Sequence, residues 1–383
     1  MIMMQELTTI LPASAGILFL VQSCYHLGLY RNLYVHSKKE KEETHTPPLS
    51  VILVAKEAAS CLQKNLPAIL EQDYPDFEVI VIHDQSPEDG CEDVLKLLKE
   101  KYPHLHHSFI PDSTRYISRK KLGIHMGIKA SHHEWLVFTE ANCRPASNQW
   151  LRKMARNFTE GTDIVLGYSN YEKDKGWFIR KATFDTLLHS MRYLGSAIGG
   201  NPYMGCGRNL AYRKSLYYKH KGFASHLNLQ RGEDDLFVNE HATAANTRVE
   251  ASAESVMRIT GPYRKKNWRE YKLNYYTTSR HYKGFRRYLI GFESCSRILF
   301  LVTIILCMVY GILAHQWLTL GIAGGLGLLR YVMQLIVFRK TSIALQERRF
   351  HVALLLFDWM QPLWNFRYKL LQRFRRKDEF MRK

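Results

Sequence analysis

Three apolar runs of near-bilayer length bracket a polar middle, and this segregation constrains the fold more than any other feature of the sequence. The first, Ile10 to Tyr30, carries no charged residue. It lacks the basic leader and small-residue cleavage site of a secretory signal, so it reads as an uncleaved anchor spanning 1–36. Arg31, Lys38, Lys39 and Lys41 follow it, and positive charge at the end of a span favours the cytoplasm for what comes next. The other two runs, Ile298 to Ala314 and Trp317 to Phe338, are joined by a very short link and read as a transmembrane hairpin over 298–338. Arg330 lies inside the second, where an unpaired charge is costly, so it is expected to snorkel or to pair within the bundle. A fourth stretch, 351–366, is apolar but short and interrupted by Asp358 and Pro362. With basic residues on both sides it is expected to re-enter or lie in the interface, with a transmembrane crossing as the alternative, and 367–383 then forms a basic cytoplasmic tail.

The middle alternates strand and helix patterns. Leu49–Ala55 and Phe77–His83 are short β-branched runs of the kind buried on both faces of a sheet, and Trp135–Thr139 is a third. A strand is also expected at His106–Ile110 and another near Asp163–Gly167. Helices are expected at Ala58–Gln72, Glu92–Lys101, Lys120–Ala130 and around Trp177–Leu194. Such alternation argues for an α/β sheet that binds ligands at the carboxyl ends of its strands. Glu57, Asp84 and the triplet Glu140-Ala141-Asn142 fall at such ends.

Composition sharpens this picture. The formal charge is +19 over 383 residues, an excess that asks for an anionic partner. Much of it lies in 258–297, where Lys and Arg are interleaved with Trp268, Tyr271, Tyr275, Tyr282 and Phe285. Directly before a membrane hairpin, this stretch reads as an amphipathic region lying on anionic lipid, and nucleic acid is not an expected partner. The seven cysteines are scattered, with no CxxC spacing, and read as reduced thiols.

The order of landmarks resembles family 2 glycosyltransferases from about Leu49 to about Tyr282. The resemblance is carried by Val51-Ile-Leu-Val-Ala-Lys-Glu57, Glu71-Gln-Asp-Tyr-Pro75, Phe77 through Asp84-Gln-Ser86 and Asp89-Gly90. It continues through Lys120-Lys121, Glu134 through Pro145, Asn201 through Tyr212, and Gly232-Glu-Asp-Asp-Leu-Phe237. It implies a GT-A type nucleotide-sugar-binding mixed sheet flanked by helices over 47–257, with transmembrane helices at both ends, and an inverting single displacement. By position, Glu57, Asp84, Lys120, Lys121 and Glu140 would bind the donor. Asp234 would be the catalytic base, with Glu233 beside it, and Gly205, Gly207 and Arg208 would meet the sugar or acceptor. The family's Asp-x-Asp metal motif is replaced by Glu140-Ala141-Asn142, so a divalent metal (Mg2+ or Mn2+) would rest on Glu140 and the neutral carbonyl of Asn142. The Gln-x-x-Arg-Trp motif of processive members is absent; Lys272 to Tyr276 stands in its place. Transfer of one sugar from a nucleotide-sugar donor to a lipid-linked or glycan acceptor is therefore expected, at a bacterial inner membrane crossed more than once, with the catalytic domain cytoplasmic. A non-catalytic scaffold that binds nucleotide or glycan is the alternative, motivated by the Glu-Ala-Asn departure.

Plainer readings accompany these residues. Asp84 is a good strand-ending turn residue. Glu233-Asp234-Asp235 suits a helix start, where the dipole favours acids. Gly205 and Gly207 serve a tight turn as well as they serve the approach of a sugar.

Overall fold

The computed structural model describes residues 2–38, 46–84, 90–111, 116–261 and 263–374. Lys39, Lys41, Gln85, Ser86 and Asp89 lie outside the described residues, as does the expected tail beyond Phe374.

The chain opens with α1 (Ile2–Cys24), which runs through a π-helical turn at Tyr25–Tyr30 into α2 (Arg31–His36). The α/β layer follows: β1 (Leu49–Ala55), α3 (Ala59–Leu70), β2 (Phe77–Asp84), α4 (Cys91–Lys101), β3 (Leu105–Ile110), α5 (Arg119–Ala130) and β4 (Trp135–Glu140). These match the expected elements to within a few residues. Next come β5 (Cys143–Pro145), α6 (Trp150–Ala155), β6 (Ile164–Gly167), β7 (Ser169–Tyr171), α7 (Trp177–Ile198), β8 (Leu210–Arg213), α8 (Lys214–Lys219), α9 (Asp235–His241), β9 (Thr247–Glu250) and β10 (Met257–Ile259). The short strands β5, β7, β8, β9 and β10 were not legible, being too brief to show a period.

The main sheet has the order β3-β2-β1-β4-β8-β6-β9. β1 pairs in parallel with both β2 and β4, whereas β8 runs antiparallel to β4 and β6, making the sheet mixed. Its apolar strands are covered on both faces, as a parallel sheet requires. Ile52 packs in one cluster with Ile128 and Phe138, and its neighbours Val51 and Leu53 pack in the other with Leu62 and Leu66. Helix α5 rides close on the sheet because Gly127 has no side chain; a Cβ there would sit 2.6 Å from Ile52 Cγ2. Strand order reverses at β1, between β2 and β4, which opens a crevice at the carboxyl ends of those strands. A small second sheet, β5-β10-β7, flanks the crevice.

The remainder is helical: α10 (Lys265–Thr278), α11 (Arg286–Leu313), α12 (Trp317–Ala344) and α13 (Val352–Phe374). Among the described residues, three helical stretches are long and apolar enough to cross a membrane: Glu6–His36, Gly291–Leu313 and Trp317–Ala344. Their outward faces expose Ile17, Leu20, Val302, Leu306, Leu328 and Leu329. A Cβ at Gly321 or Gly325 would meet nothing within 4 Å, so this Gly-x-x-x-Gly spacing marks no close helix contact among the described residues.

Two expectations are refined here. The basic aromatic stretch 258–297, expected to lie on lipid, divides. Its first part forms β10 and α10, with Trp268, Lys272 and Leu273 buried against the α/β layer. Those aromatics wall the crevice because the bulk of a Trp or Tyr ring is better buried against protein than left at the surface. The segment 351–366 is the first part of α13, which packs on the α/β layer: Phe357 meets Phe184, Lys181 sits 3.6 Å above the Trp364 ring and Tyr368 touches Trp268. Arg330 is paired inside the bundle, 2.8 Å from Asp358.

Candidate active site

The crevice at the end of β4 is a cavity of about 300 Å³. Three parts of the chain converge on it: Glu140 and Asn142 after β4, the loop Met204–Arg208 before β8, and Arg231–Asp235 leading into α9. Helix α10 closes the far side with Trp268, Tyr271, Asn274 and Tyr275.

Asp234 is the N-cap of α9, which explains both the acid run at the helix start and its rigidity. Its Oδ1 accepts the Asp235 amide at 2.8 Å, and its Oδ2 accepts the Gly207 amide at 2.7 Å. Burial and the neighbouring Glu233 hold its carboxyl above the usual range, the direction that makes a stronger base. Glu233 moves the other way. Burial favours its neutral form, but the cations Lys120 and Arg231 outweigh this and bring it down to about 2. Of the two adjacent acids, Asp234 is therefore the one suited to accept a proton. Gly207 is needed for this arrangement. A Cβ there would lie 3.2 Å from Asp234 Oδ2 and 3.4 Å from Asp234 Cβ, so the carboxylate would have to shift. Gly207→Ala is expected to slow about tenfold any reaction in which Asp234 takes up a proton, while the protein stays folded, because small misplacements of a reacting group are costly. Rate and thermal midpoint measured together check this; an unchanged rate refutes the positioning role.

Asp235 borders the same cavity where it meets the end of α10. Its carboxylate accepts the Leu236 amide, the Tyr282 hydroxyl at 2.8 Å and the Thr278 hydroxyl. Burial and Asp234 push its pKa up to about 7 from 3.8. The folded chain thus holds a proton that the unfolded chain releases. The stability from this group is full below about pH 4 and is lost as pH rises through about 7. Asp235→Asn cannot ionise, so its thermal midpoint is expected to fall less than that of the parent between roughly pH 5 and pH 8. Parallel declines in the two proteins would contradict the assignment.

Glu140 sits level with Val54 of β1, at the strand reversal. Lys120 Nζ donates to its Oε1 at 2.9 Å, and Arg208 Nε donates to its Oε2 at 3.1 Å. Burial raises its pKa, but the two cations reverse the effect and hold the carboxyl far below the usual range. Lys120 also reaches Glu233 at 2.9 Å. The Arg208 guanidinium stacks 4.3 Å over the Tyr271 ring.

The other expected donor residues lie elsewhere. Asp84 ends β2, two strands from Glu140 and so roughly 10 Å away by strand spacing. It is held by Arg119 at 3.0 Å and is not part of the cavity wall. Glu57 follows β1 with a left-handed backbone, φ 48°, and is exposed, also outside the wall. Lys121 requires a correction: its ammonium is turned from the cavity and donates to the carbonyls of His226 at 2.6 Å and Leu229 at 2.8 Å. It anchors the loop that carries Arg231 rather than facing a donor. Gly205 and Gly207 both border the cavity region, Gly205 on its wall and Gly207 through Asp234. Lys272 is bound to Asp185 at 2.8 Å, away from the cleft. Sequence reasoning missed Arg231, although it adjoins the Gly-Glu-Asp-Asp signal. It also missed the cleft role of Tyr263, Asn267 and Asn274, for which no local pattern exists.

The expected metal pair was tested against the donor set. Glu140 has a cation on each oxygen, and Asn142 offers one neutral carbonyl, to which the Cys143 thiol donates at 3.5 Å. Both Asp234 oxygens accept backbone amides. Among the described residues, no three His, Cys, Asp or Glu side chains group so as to hold a metal ion. Hard cations take six or more oxygen ligands or keep several waters. The residues present do not fit a resident divalent ion.

A mixed sheet whose strand reversal opens on a carboxylate-lined cleft, capped by an aromatic helix, is the GT-A type of nucleotide-sugar-binding architecture. Residues 50–221 match the family model for glycosyl transferase family 2, so the chain carries a family 2 domain and is a glycosyltransferase. Among solved structures, the chain is similar to the mannosyltransferase PcManGT from Pyrobaculum calidifontis, in complex with GDP-Man and Mn2+. Identity is 15%, 88% of this chain and 99% of that one are covered, and the TM-score is 0.54. It also matches TarS 1-349 from S. aureus at 16% identity, covering 63% of this chain and 68% of that one, with a TM-score of 0.41.

Proposed function

We propose that the enzyme inverts configuration while moving a single sugar from a nucleotide-sugar donor to a lipid-linked or glycan acceptor, with its α/β layer on the cytoplasmic side of a bacterial inner membrane. The observation that carries this reading is that Asp234 and Glu140, 94 residues apart in sequence, open on one cavity. The donor would enter over the carboxyl ends of β1 and β4. Asp234 would take the proton of an acceptor hydroxyl approaching from the α10 side, where Trp268 and Tyr271 line the cavity. Three membrane-length helices and a cluster of Lys265, Lys266 and Arg269 on exposed α10 positions support a membrane-bound acceptor and contact with anionic lipid. Helix α13, resting on the α/β layer, would lie along the interface on the same side.

The test uses the purified full chain in detergent with a panel of nucleotide sugars. Release of nucleoside diphosphate and formation of a product with the opposite anomeric configuration are expected from at least one donor. A retained configuration would refute inversion, and no turnover or binding of any donor would refute the transferase reading.

A further inference from the structure

The misfit between the donor set and a divalent ion has a chemical complement. Departure of a nucleoside diphosphate puts negative charge on its β-phosphate oxygen, and that charge needs a metal ion or fixed cations to stabilise it. At the carboxyl end of β4, the place between carboxylates that a hard cation would take is held by a side chain: Lys120 Nζ lies 2.9 Å from Glu140 and 2.9 Å from Glu233. Around it stand two guanidinium groups on the same cavity, Arg208 and Arg231. Arg208 commits Nε to Glu140, and Arg231 is 3.9 Å from Glu233 with its side chain 42% exposed toward solvent. A guanidinium carries five donors in a planar fork suited to phosphate, so each can engage an anion while keeping such a partner. Glu233 Oε2 is buried without a hydrogen-bond partner among the described residues, but it is a single ligand atom and builds no metal site.

We propose that this transferase works without a divalent cation: Lys120, Arg208 and Arg231 neutralise the departing nucleoside diphosphate in its place. The inference rests on the donor-cleft reading above. In the step it describes, the acceptor oxygen forms a bond to the anomeric carbon as the bond from that carbon to the β-phosphate oxygen breaks. The electron pair goes to the diphosphate, beside the three cations, and the acceptor proton goes to Asp234. The arrangement also accounts for the neutral Asn142. With the positive charge supplied by fixed side chains, a second carboxylate at that position would only repel the phosphates.

Calorimetry with UDP and GDP, and turnover of the corresponding nucleotide sugars, would be compared for the full chain in EDTA and in Mn2+ or Mg2+. Binding and turnover are expected to differ by no more than about threefold between these conditions. Arg231→Gln, at a half-exposed position, is expected to weaken diphosphate binding about tenfold in EDTA while the thermal midpoint stays close to that of the parent. Turnover that EDTA abolishes and Mn2+ or Mg2+ restores would overturn the inference and leave the transferase reading standing. Unchanged diphosphate binding by Arg231→Gln would likewise overturn it. Absence of diphosphate binding and of turnover in every condition would overturn both.

Discussion

Asp234→Asn is expected to cut sugar transfer by about a thousandfold, the scale lost when a positioned base is removed. The fold should survive. Asn caps α9 as Asp does, through its oxygen to the Asp235 amide, and the repulsion between Asp234 and Glu233 disappears, but its NH2 cannot accept the Gly207 amide that Asp234 Oδ2 accepts. The lost Gly207 bond and the relieved repulsion oppose each other, so the thermal midpoint should move by only a few degrees while the rate collapses, a split that separates chemistry from packing. In the proposed arrangement the diphosphate meets cations and not this carboxylate, so donor affinity should change little. In the parent enzyme, a base held above the usual carboxylate range means that activity falls early on acidification, as Asp234 takes up its proton. Single-turnover rates with any active donor check the prediction; a variant within tenfold of the parent would remove Asp234 from the role of base.

Asp358→Ala is expected to destabilise the protein by about 3–5 kcal/mol, the cost of stripping a buried charge of its partner. The Asp358 carboxylate receives Arg297 at 3.3 Å and Arg330 at 2.8 Å, and both guanidinium groups are almost wholly buried. Arg297 keeps Glu293 at 3.7 Å, so the loss falls on Arg330, whose carboxylate partner among the described residues is Asp358, beside apolar segments where water compensates poorly. The effect should also reach the cleft. Arg297 donates to Gln361, Gln361 donates to Asp185 at 3.0 Å, and Asp185 holds Lys272 of the cleft-closing helix α10. Thermal unfolding in detergent should show the loss, together with a raised KM for the acceptor. Adding Arg330→Met should recover part of the stability, because removing both charges is far less costly than removing one. A midpoint for Asp358→Ala equal to that of the parent would show the pairs to be inconsequential.

The pattern of residues revealed some parts of this molecule better than others. Strands β1, β2 and β4 were legible because a strand buried on both faces must be a continuous apolar run, and little else of that length is. The three membrane-length helices were legible by length and apolar composition. The short strands from β5 onward were hidden because three or four residues cannot display a period. Helix α10 was placed on lipid because its Lys and aromatic residues suit an interface equally well, and nothing local says which surface will cover Trp268. Lys120 and Lys121 are neighbours in sequence, yet successive helix positions point about 100° apart. One faces the cleft and the other secures a loop, a distinction no motif encodes.

What the sequence determined by itself was therefore periodic and local: membrane-length segments, the alternation that builds a sheet, and carboxylates at strand and helix ends. Tertiary structure alone decided which charges meet. Asn142 in place of an acid looked like a weakened metal site when read along the chain. In three dimensions Glu140 already holds Lys120 and Arg208, the latter 68 residues away. Ion pairing depends on distances of a few ångströms between side chains that the chain order does not bring together, so the source of positive charge in the cleft became visible only once the sheet, α5 and the loop before β8 were folded against one another.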